Sequence, residues 1–230
     1  MALGKLRATF AEMGALNGGL YLLHRILQTL SGGRAQLVRY YLVAQPIHPD
    51  AACRPSAKNP VTLLDPSDPL IADFPRPPEV IAKRLRDGAT CFIARSGETF
   101  AGFLWLAHGA YDEDEVRCRY ELVDDDRCVW DYDVYVEPAY RIGRTFARLW
   151  DAANQHLAPR GVRWSISRIS AFNAASLAAH DRLGIKILHS ATFICLGSVQ
   201  ISALGGAPYL HIGMSDASRP VLRLRAPDAE

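Results

Sequence analysis

Two carboxylates open the search for chemistry. In RCVWDYDVYVEP (127–138) apolar and polar residues alternate. A period of two predicts a strand with Asp131 and Asp133 on one face, beside Val129 and Tyr135. Two like charges held that close resist ionising together, which suits a general base. The competing reading is a solvated strand face. EPAYRIGRTF (137–146) follows and turns the chain into a helix. A helix start presents unpaired N–H groups and a positive dipole end, the physical basis of phosphate binding. Arg141 and Arg144 add charge-assisted donors there, and Arg148 extends the same face. Phosphate-cradling turns usually carry several glycines so that the backbone can approach closely, yet this one has Gly143 alone. The competing reading makes Arg144 and Arg148 a solvated face paired with Asp151. NAASLAAHDRLG (173–184) has an N-cap asparagine and a closing glycine. Its spacing sets Asn173, Ser176 and His180 on one helical stripe. Imidazole as a side-chain type suits proton transfer near neutral pH, while the plainer role is packing or capping.

These groups need elements to hold them. AQLVRYYLVAQPI (35–47) predicts a strand, 48–60 a loop, 65–74 a short helix and 75–88 a clearer one. Residues 89–109 read as a hairpin turning at Ser96-Gly97-Glu98, and the acidic run 111–127 as a loop or sheet edge. A helix is expected from about Ile142 to Ala158, with Ile142, Phe146, Leu149, Trp150, Ala153 and Leu157 on its apolar stripe. Residues 162–170 predict a strand and 185–201 one long or two short strands, and the tail past Pro208 has no pattern. The order is a mixed α/β layout, antiparallel first and βαβ-like later.

The stretch VEPAYRIGRTFARLWDAANQHLAPRGVRWSISRISAFNAASLAAHDRLGIKI (136–187) resembles the acyl-CoA-binding core of the GNAT N-acetyltransferase superfamily. The strand, loop and helix over 128–158 look like its cofactor motif. NAASLAAHDRLGI (173–185) looks like its second signature, with Asn173, Ser176, His180, Gly184 and Ile185 at the signature positions. The hairpin with Gly102 fits that family's second and third strands. Element order agrees over roughly 35–200, and specific motifs are confined to 133–185. The cofactor loop departs from the pattern: Arg141 fits, Arg144 and Phe146 replace two small residues, and Gly143 stands one position early.

The resemblance implies an α/β (α+β mixed) fold with a central mixed sheet of about six to seven strands flanked by helices. It implies N-acyl transfer, most directly acetyl, from acetyl-CoA or another acyl-CoA to a small-molecule or peptide amine, without a metal. Val134, Tyr135, Val136, Arg141, Ile142, Gly143, Arg144, Thr145, Asn173, Ser176 and His180 would contact the cofactor. Asp131 or Asp133 would deprotonate the amine, directly or through water. Backbone donors near Val134–Val136 would stabilise the oxyanion. His180 would protonate the departing thiolate, where many relatives carry tyrosine. Two alternatives stay open: a longer acyl-CoA or acyl-carrier-protein donor, and a non-catalytic module of this fold.

Composition bounds the rest. The 230 residues are 49% hydrophobic and 22% charged, enough apolar content for a buried core. A net charge of +2 gives no footprint for nucleic acid, and Arg141, Arg144, Arg148, Arg160, Arg163 and Arg168 lack interleaved exposed aromatics. Five scattered cysteines without a CxxC pair fit a reducing cytoplasm. LNGGLYLLHRILQTL (16–30) predicts an amphipathic helix ending at Ser31-Gly32-Gly33. It falls short of the roughly 20 apolar residues of a spanning helix. Packing on the domain or a homodimer contact suits it better than a membrane surface, because its polar face carries few lysines and arginines. The expected division is a helical extension over 1–34, an acyltransferase-like domain over 35–207 and a tail over 208–230.

Overall fold

The computed structural model describes residues 3–124 and 126–227; Met1, Ala2, Asp125 and 228–230 lie outside it. In chain order the elements are α1 (Leu3–Ser31), β1 (Ala35–Pro46), β2 (Val61–Leu63), a 3-10 turn (Pro69–Asp73) and α2 (Pro78–Arg86). Next come β3 (Thr90–Ser96), β4 (Thr99–Ala107), β5 (Ala110–Asp112), β6 (Arg119–Leu122), β7 (Cys128–Val136) and α3 (Thr145–Leu157). The chain closes with β8 (Trp164–Ser170), α4 (Ala174–Asp181), β9 (Lys186–Leu196), β10 (Val199–Leu204), β11 (Leu210–Gly213) and β12 (Val221–Leu224). The mixed α/β class read from the sequence is the class that forms. The chain divides into two compact units, each assembled from separated segments.

The first unit comprises Met1–Gln45, Ala110–Val123 and Ile166–Glu230. Its larger sheet runs in the order β11, β10, β9, β1, β8. β1 pairs antiparallel with β9, β9 with β10, and β10 with β11. β1 is buried at most positions. The helix expected over 16–30 begins earlier, and it breaks at Gly14, whose φ of 73° and ψ of 174° no helix accommodates. It docks on β1 through Asn17 Nδ2 donating to Tyr41 Oη at 2.9 Å, and its Tyr21 meets Phe172 edge-on. The patternless tail supplies β11 and β12. β12 pairs parallel with β6, and β6 antiparallel with β5, so the acidic stretch is anchored at both ends by a three-stranded sheet. Within it the Glu113 side chain is fully buried against Arg168, and Tyr40 donates to Glu115. The expected loop or sheet edge forms as short strands joined by a loop, and the Arg168 guanidinium draws the Glu113 carboxylate inward. Among the described residues no helix is long and apolar enough to cross a membrane.

The second unit comprises Pro46–Gly109 and Asp124–Ser165. Its strands run β7, β4, β3, β2, all antiparallel. Ile81 of α2 packs on one face with Phe74, Cys91, Ile93, Phe100, Phe103 and Trp105. α3 buries Leu149, Trp150, Ala153 and Leu157, the stripe its periodicity marks. Gly102 of β4 leaves no room for a side chain against β7: a Cβ there would lie 2.4 Å from the Tyr135 carbonyl oxygen.

Candidate functional site

β7 carries the two carboxylates, and a bulge separates them. Trp105 of β4 pairs with Asp133, and the next residue, Leu106, pairs with Asp131. Tyr132 is therefore the extra residue of the pair of strands. Paired residues share a face and neighbours alternate, so Asp133 lies on the Trp105 face and Asp131 on the Leu106 face. The sequence expectation of a shared face is corrected: the strand period is broken by one inserted residue. Asp131 is buried, and its Oδ2 accepts from Ser165 Oγ at 2.7 Å. Asp133 is met by two arginines. Arg76 donates from Nε to Oδ2 at 2.8 Å and from Nη2 to Oδ1 at 2.6 Å, and Arg84 donates from Nη1 to Oδ2 at 2.7 Å. Both guanidiniums also lie over rings, Arg76 over Phe103 and Tyr135, Arg84 over Trp105 and Tyr132.

The chain leaves β7 through a 3-10 turn at Pro138–Tyr140 and enters α3 at Thr145, three residues later than its apolar pattern suggested. Ile142 belongs to the turn and is fully exposed, so it is no part of the helix stripe. Arg141 folds back: its Nε donates to the Val136 carbonyl at 2.9 Å, and its guanidinium lies 5.9 Å from the Tyr135 ring centre. That bond occupies the Val136 carbonyl oxygen. Gly143 does not need a left-handed backbone; a Cβ there would stand 3.3 Å from the Tyr140 carbonyl oxygen. Arg144 is the N-cap residue and supplies no side-chain cap, and the Arg148 N–H bonds to its carbonyl at 2.9 Å. Among the described residues the Arg144 guanidinium has no hydrogen-bond or ion-pair partner. Asp151 does not form the expected pair with these arginines. Its two oxygens accept the N–H groups of Ala52 and Cys53 at 2.9 and 2.7 Å. Burial pushes the Cys53 thiol up, the Asp151 bond adds to this, and Arg144 and Arg148 oppose it.

Asn173, Ser176 and His180 belong to the first unit, whereas the strand and turn residues belong to the second. Asn173 is an N-cap, its side chain accepting from the Ser176 N–H at 3.0 Å. His180 is buried, with Nδ1 2.8 Å from the Ser176 carbonyl oxygen. A carbonyl only accepts, so Nδ1 carries the hydrogen, and the neutral ring keeps its lone pair at Nε2. Donation from Nε2 then requires the doubly protonated ring.

Sequence reasoning missed Arg76, Arg84, and the Asp151 grip on the 52–53 backbone. Asp151 left a trace, as a carboxylate flanked by the buried positions Leu149, Trp150 and Ala153. Arg76 and Arg84 left none, because only tertiary pairing brings them to Asp133.

No protein-family model and no curated protein sequence matches the chain. Solved structures do. A tandem GNAT protein from the clavulanic acid biosynthesis pathway aligns with a TM-score of 0.50 at 14% identity, over 74% of this chain and 54% of that one. A conserved protein of unknown function from Staphylococcus epidermidis aligns with a TM-score of 0.51 at 9% identity, over 74% and 65%. A putative GNAT-family acetyltransferase from Novosphingobium aromaticivorans aligns with a TM-score of 0.44 at 15% identity, over 69% and 65%. The chain thus spans between 54% and 65% of the length of these structures. At such identities the likeness speaks to architecture alone: the mixed α/β fold of this chain is that of the tandem GNAT protein.

Proposed function

We propose that the protein is an N-acyltransferase that moves an acyl group, most directly acetyl, from acyl-CoA to an amine. The observation that carries this reading is the start of α3. It follows β7 through a short turn, its N-cap residue Arg144 supplies no side-chain cap, and the exposed arginines 141 and 144 precede it. The helix dipole and a guanidinium without a hydrogen-bond or ion-pair partner among the described residues together suit a pyrophosphate. The neighbouring tandem GNAT protein supports the fold this chemistry needs.

In the reaction the amine loses its proton to a carboxylate and its nitrogen attacks the thioester carbonyl. The C–S bond then breaks, and the thiolate takes a proton. Asp133, held by three charge-assisted bonds, orients Arg76 and Arg84. Asp131, whose Oδ2 accepts a neutral hydroxyl, takes the role of base. The acceptor is a small-molecule or peptide amine.

Binding is tested by calorimetry with acetyl-CoA, a long-chain acyl-CoA and free CoA, and turnover by thiol release over an amine panel. Micromolar binding of an acyl-CoA with amine-dependent thiol release is expected. Absence of binding to all three ligands would sink the reading. Asp131→Asn is expected to lower kcat and remove the acid limb of its pH profile, leaving KM for the donor within about twofold, since only a transition-state interaction is lost.

A further inference from the structure

Within the first unit, α1 docks through its more polar face. Asn17 reaches Tyr41, His24 Nδ1 accepts the Leu37 N–H at 3.4 Å, and Ser31 Oγ accepts the Ala35 N–H at 2.8 Å. Tyr21 and His24 lie against Phe172, which follows β8. The other face is leucine-rich and bare: Leu16, Leu23, Ile26 and Leu30 are 42–83% exposed. A helix that serves only its own domain turns its apolar stripe inward. Here that stripe looks outward.

The bare stripe has the period of a helix-docking seam. Leu16, Leu23 and Leu30 recur every seven residues, and Gly19 and Ile26 each stand three residues after a leucine of that series. These are the a and d positions of a heptad. Gly19 is exposed, and a Cβ there would meet nothing within 4 Å, so no contact within the chain calls for glycine. Glycine inside a helix is destabilising relative to alanine, and what it permits is close approach from outside.

The sheet continues this surface. By register Leu37, Ile194, Ile201 and Ile212 form one row across β1, β9, β10 and β11, and Arg39, Thr192, Ala203 and Leu210 form the next. Tyr41, held by Asn17, shares the face of Leu37 and Arg39, so α1 lies on this side of the sheet. Tyr21 leans toward β8, which turns Leu16 and Leu23 toward β9. On the outer strands Leu196, Leu210 and Ile212 stay 44–60% exposed. The result is a helical ridge beside a flat apolar shelf.

The charge of this surface fits a second copy of the chain. Residues 13–31 contain one cation, Arg25, which lies off the seam, and no carboxylate. Arg39, on the sheet face, is held to Thr192 Oγ1 at 2.7 Å and over the Tyr41 ring. Two identical surfaces of this kind meet without like-charge repulsion. An anionic membrane surface calls for a cationic rim, which the helix lacks. A ridge beside a shelf is also self-complementary, because under a twofold axis each ridge lies on its partner's shelf.

We propose that this face of the first unit binds a second copy of the chain in a twofold dimer, with the Leu16–Leu30 seam of each copy seated on the β9–β11 face of the other. The proposal is independent of the acyltransferase reading.

The test is sedimentation velocity on the full chain over a concentration series. Wild type is expected to dimerise with a Kd at or below about 1 μM. Leu23→Glu in the ridge and Ile212→Glu on the shelf are each expected to raise that Kd at least about a hundredfold, since each forces an unpaired charge into an apolar contact. Gly19→Gln fills the close approach and is expected to weaken the dimer about tenfold, while the melting temperature of dilute, monomeric protein holds or rises. Arg25→Gln, off the seam, is expected to keep the wild-type Kd. Circular dichroism verifies that the variants, all at exposed positions, remain folded. Wild type that stays monomeric at about 100 μM overturns the proposal. So does a dimer whose Kd neither glutamate variant moves. Monomeric protein that binds phosphatidylglycerol vesicles, and loses that binding in Leu23→Glu, assigns the face to a membrane and overturns it as well.

Discussion

Two arginine clusters of the second unit face opposite fates. Around Asp133, Arg76 and Arg84 both donate to one carboxylate, whose side chain is 9% exposed, and stack on four aromatic rings. At the start of α3, Arg144 has no such partner, and the acidic residue of the same helix, Asp151, has been diverted to the backbone of the 52–53 loop. The difference teaches that the use of an arginine is decided by where the neighbouring carboxylate is sent. A paired guanidinium becomes architecture, and an unpaired one at a helix start keeps its donors open.

The comparison is broken most forcefully at Asp133. Asp133→Asn leaves Arg84, itself only 12% exposed, without a charge partner. A loss of about 3 kcal/mol is expected in urea unfolding, the scale for breaking a largely buried pair. An unchanged midpoint would show that the cluster is dispensable. Gly102→Ala drives a Cβ into the Tyr135 carbonyl of the same strand pair, at 2.4 Å before relaxation. It is expected to cost about 1–3 kcal/mol by overpacking, read from the same denaturation curves. Asp151→Asn keeps the shape but offers one acceptor in place of two, for a loss of about 1–2 kcal/mol. Faster modification of the Cys53 thiol should accompany it, because the loop is no longer fastened.

Arg144→Gln is the opposite case. Its stability should stay within about 0.5 kcal/mol of wild type, as for an exposed residue without partners. Donor affinity in calorimetry should drop severalfold. A large stability loss here would erase the distinction between the clusters.

The smallest effect concerns the far end of α3. Burial, then Arg160, then His108 hold the His156 imidazole below its ordinary value of 6.5. The folded state therefore prefers the neutral ring, and the unfolded chain binds the proton more readily. The sign follows: this contribution is present above pH 6.5 and is lost as pH falls below it. Urea midpoints taken near pH 7.5 and 5.5 should show a slightly steeper decline for wild type than for His156→Gln.

The legible parts were those with local periodicity. The β1 strand, the β3–β4 hairpin, the buried stripe of α3 and the Asn173 cap all followed from residues a few positions apart. The α3 start was misplaced to Ile142 because an apolar side chain in a turn mimics the first position of a stripe. The alternation in β7 was read through a bulge, which has no marker in an alternating run. The tail after Pro208 looked patternless, since strands of four residues such as β11 and β12 are too short to show a period.

The sequence by itself determined the mixed α/β order, the strand–turn–helix around 128–158 and the helical stripe from Asn173 to His180, because each rests on spacing within one element. Tertiary structure alone decided that Asp131 and Asp133 part to opposite faces, that Asp133 is taken by Arg76 and Arg84, and that Asp151 grips a loop roughly 100 residues earlier, leaving Arg144 unpaired. Those outcomes depend on strand register and on which distant donor reaches a carboxylate first, and short-range periodicity carries no record of either.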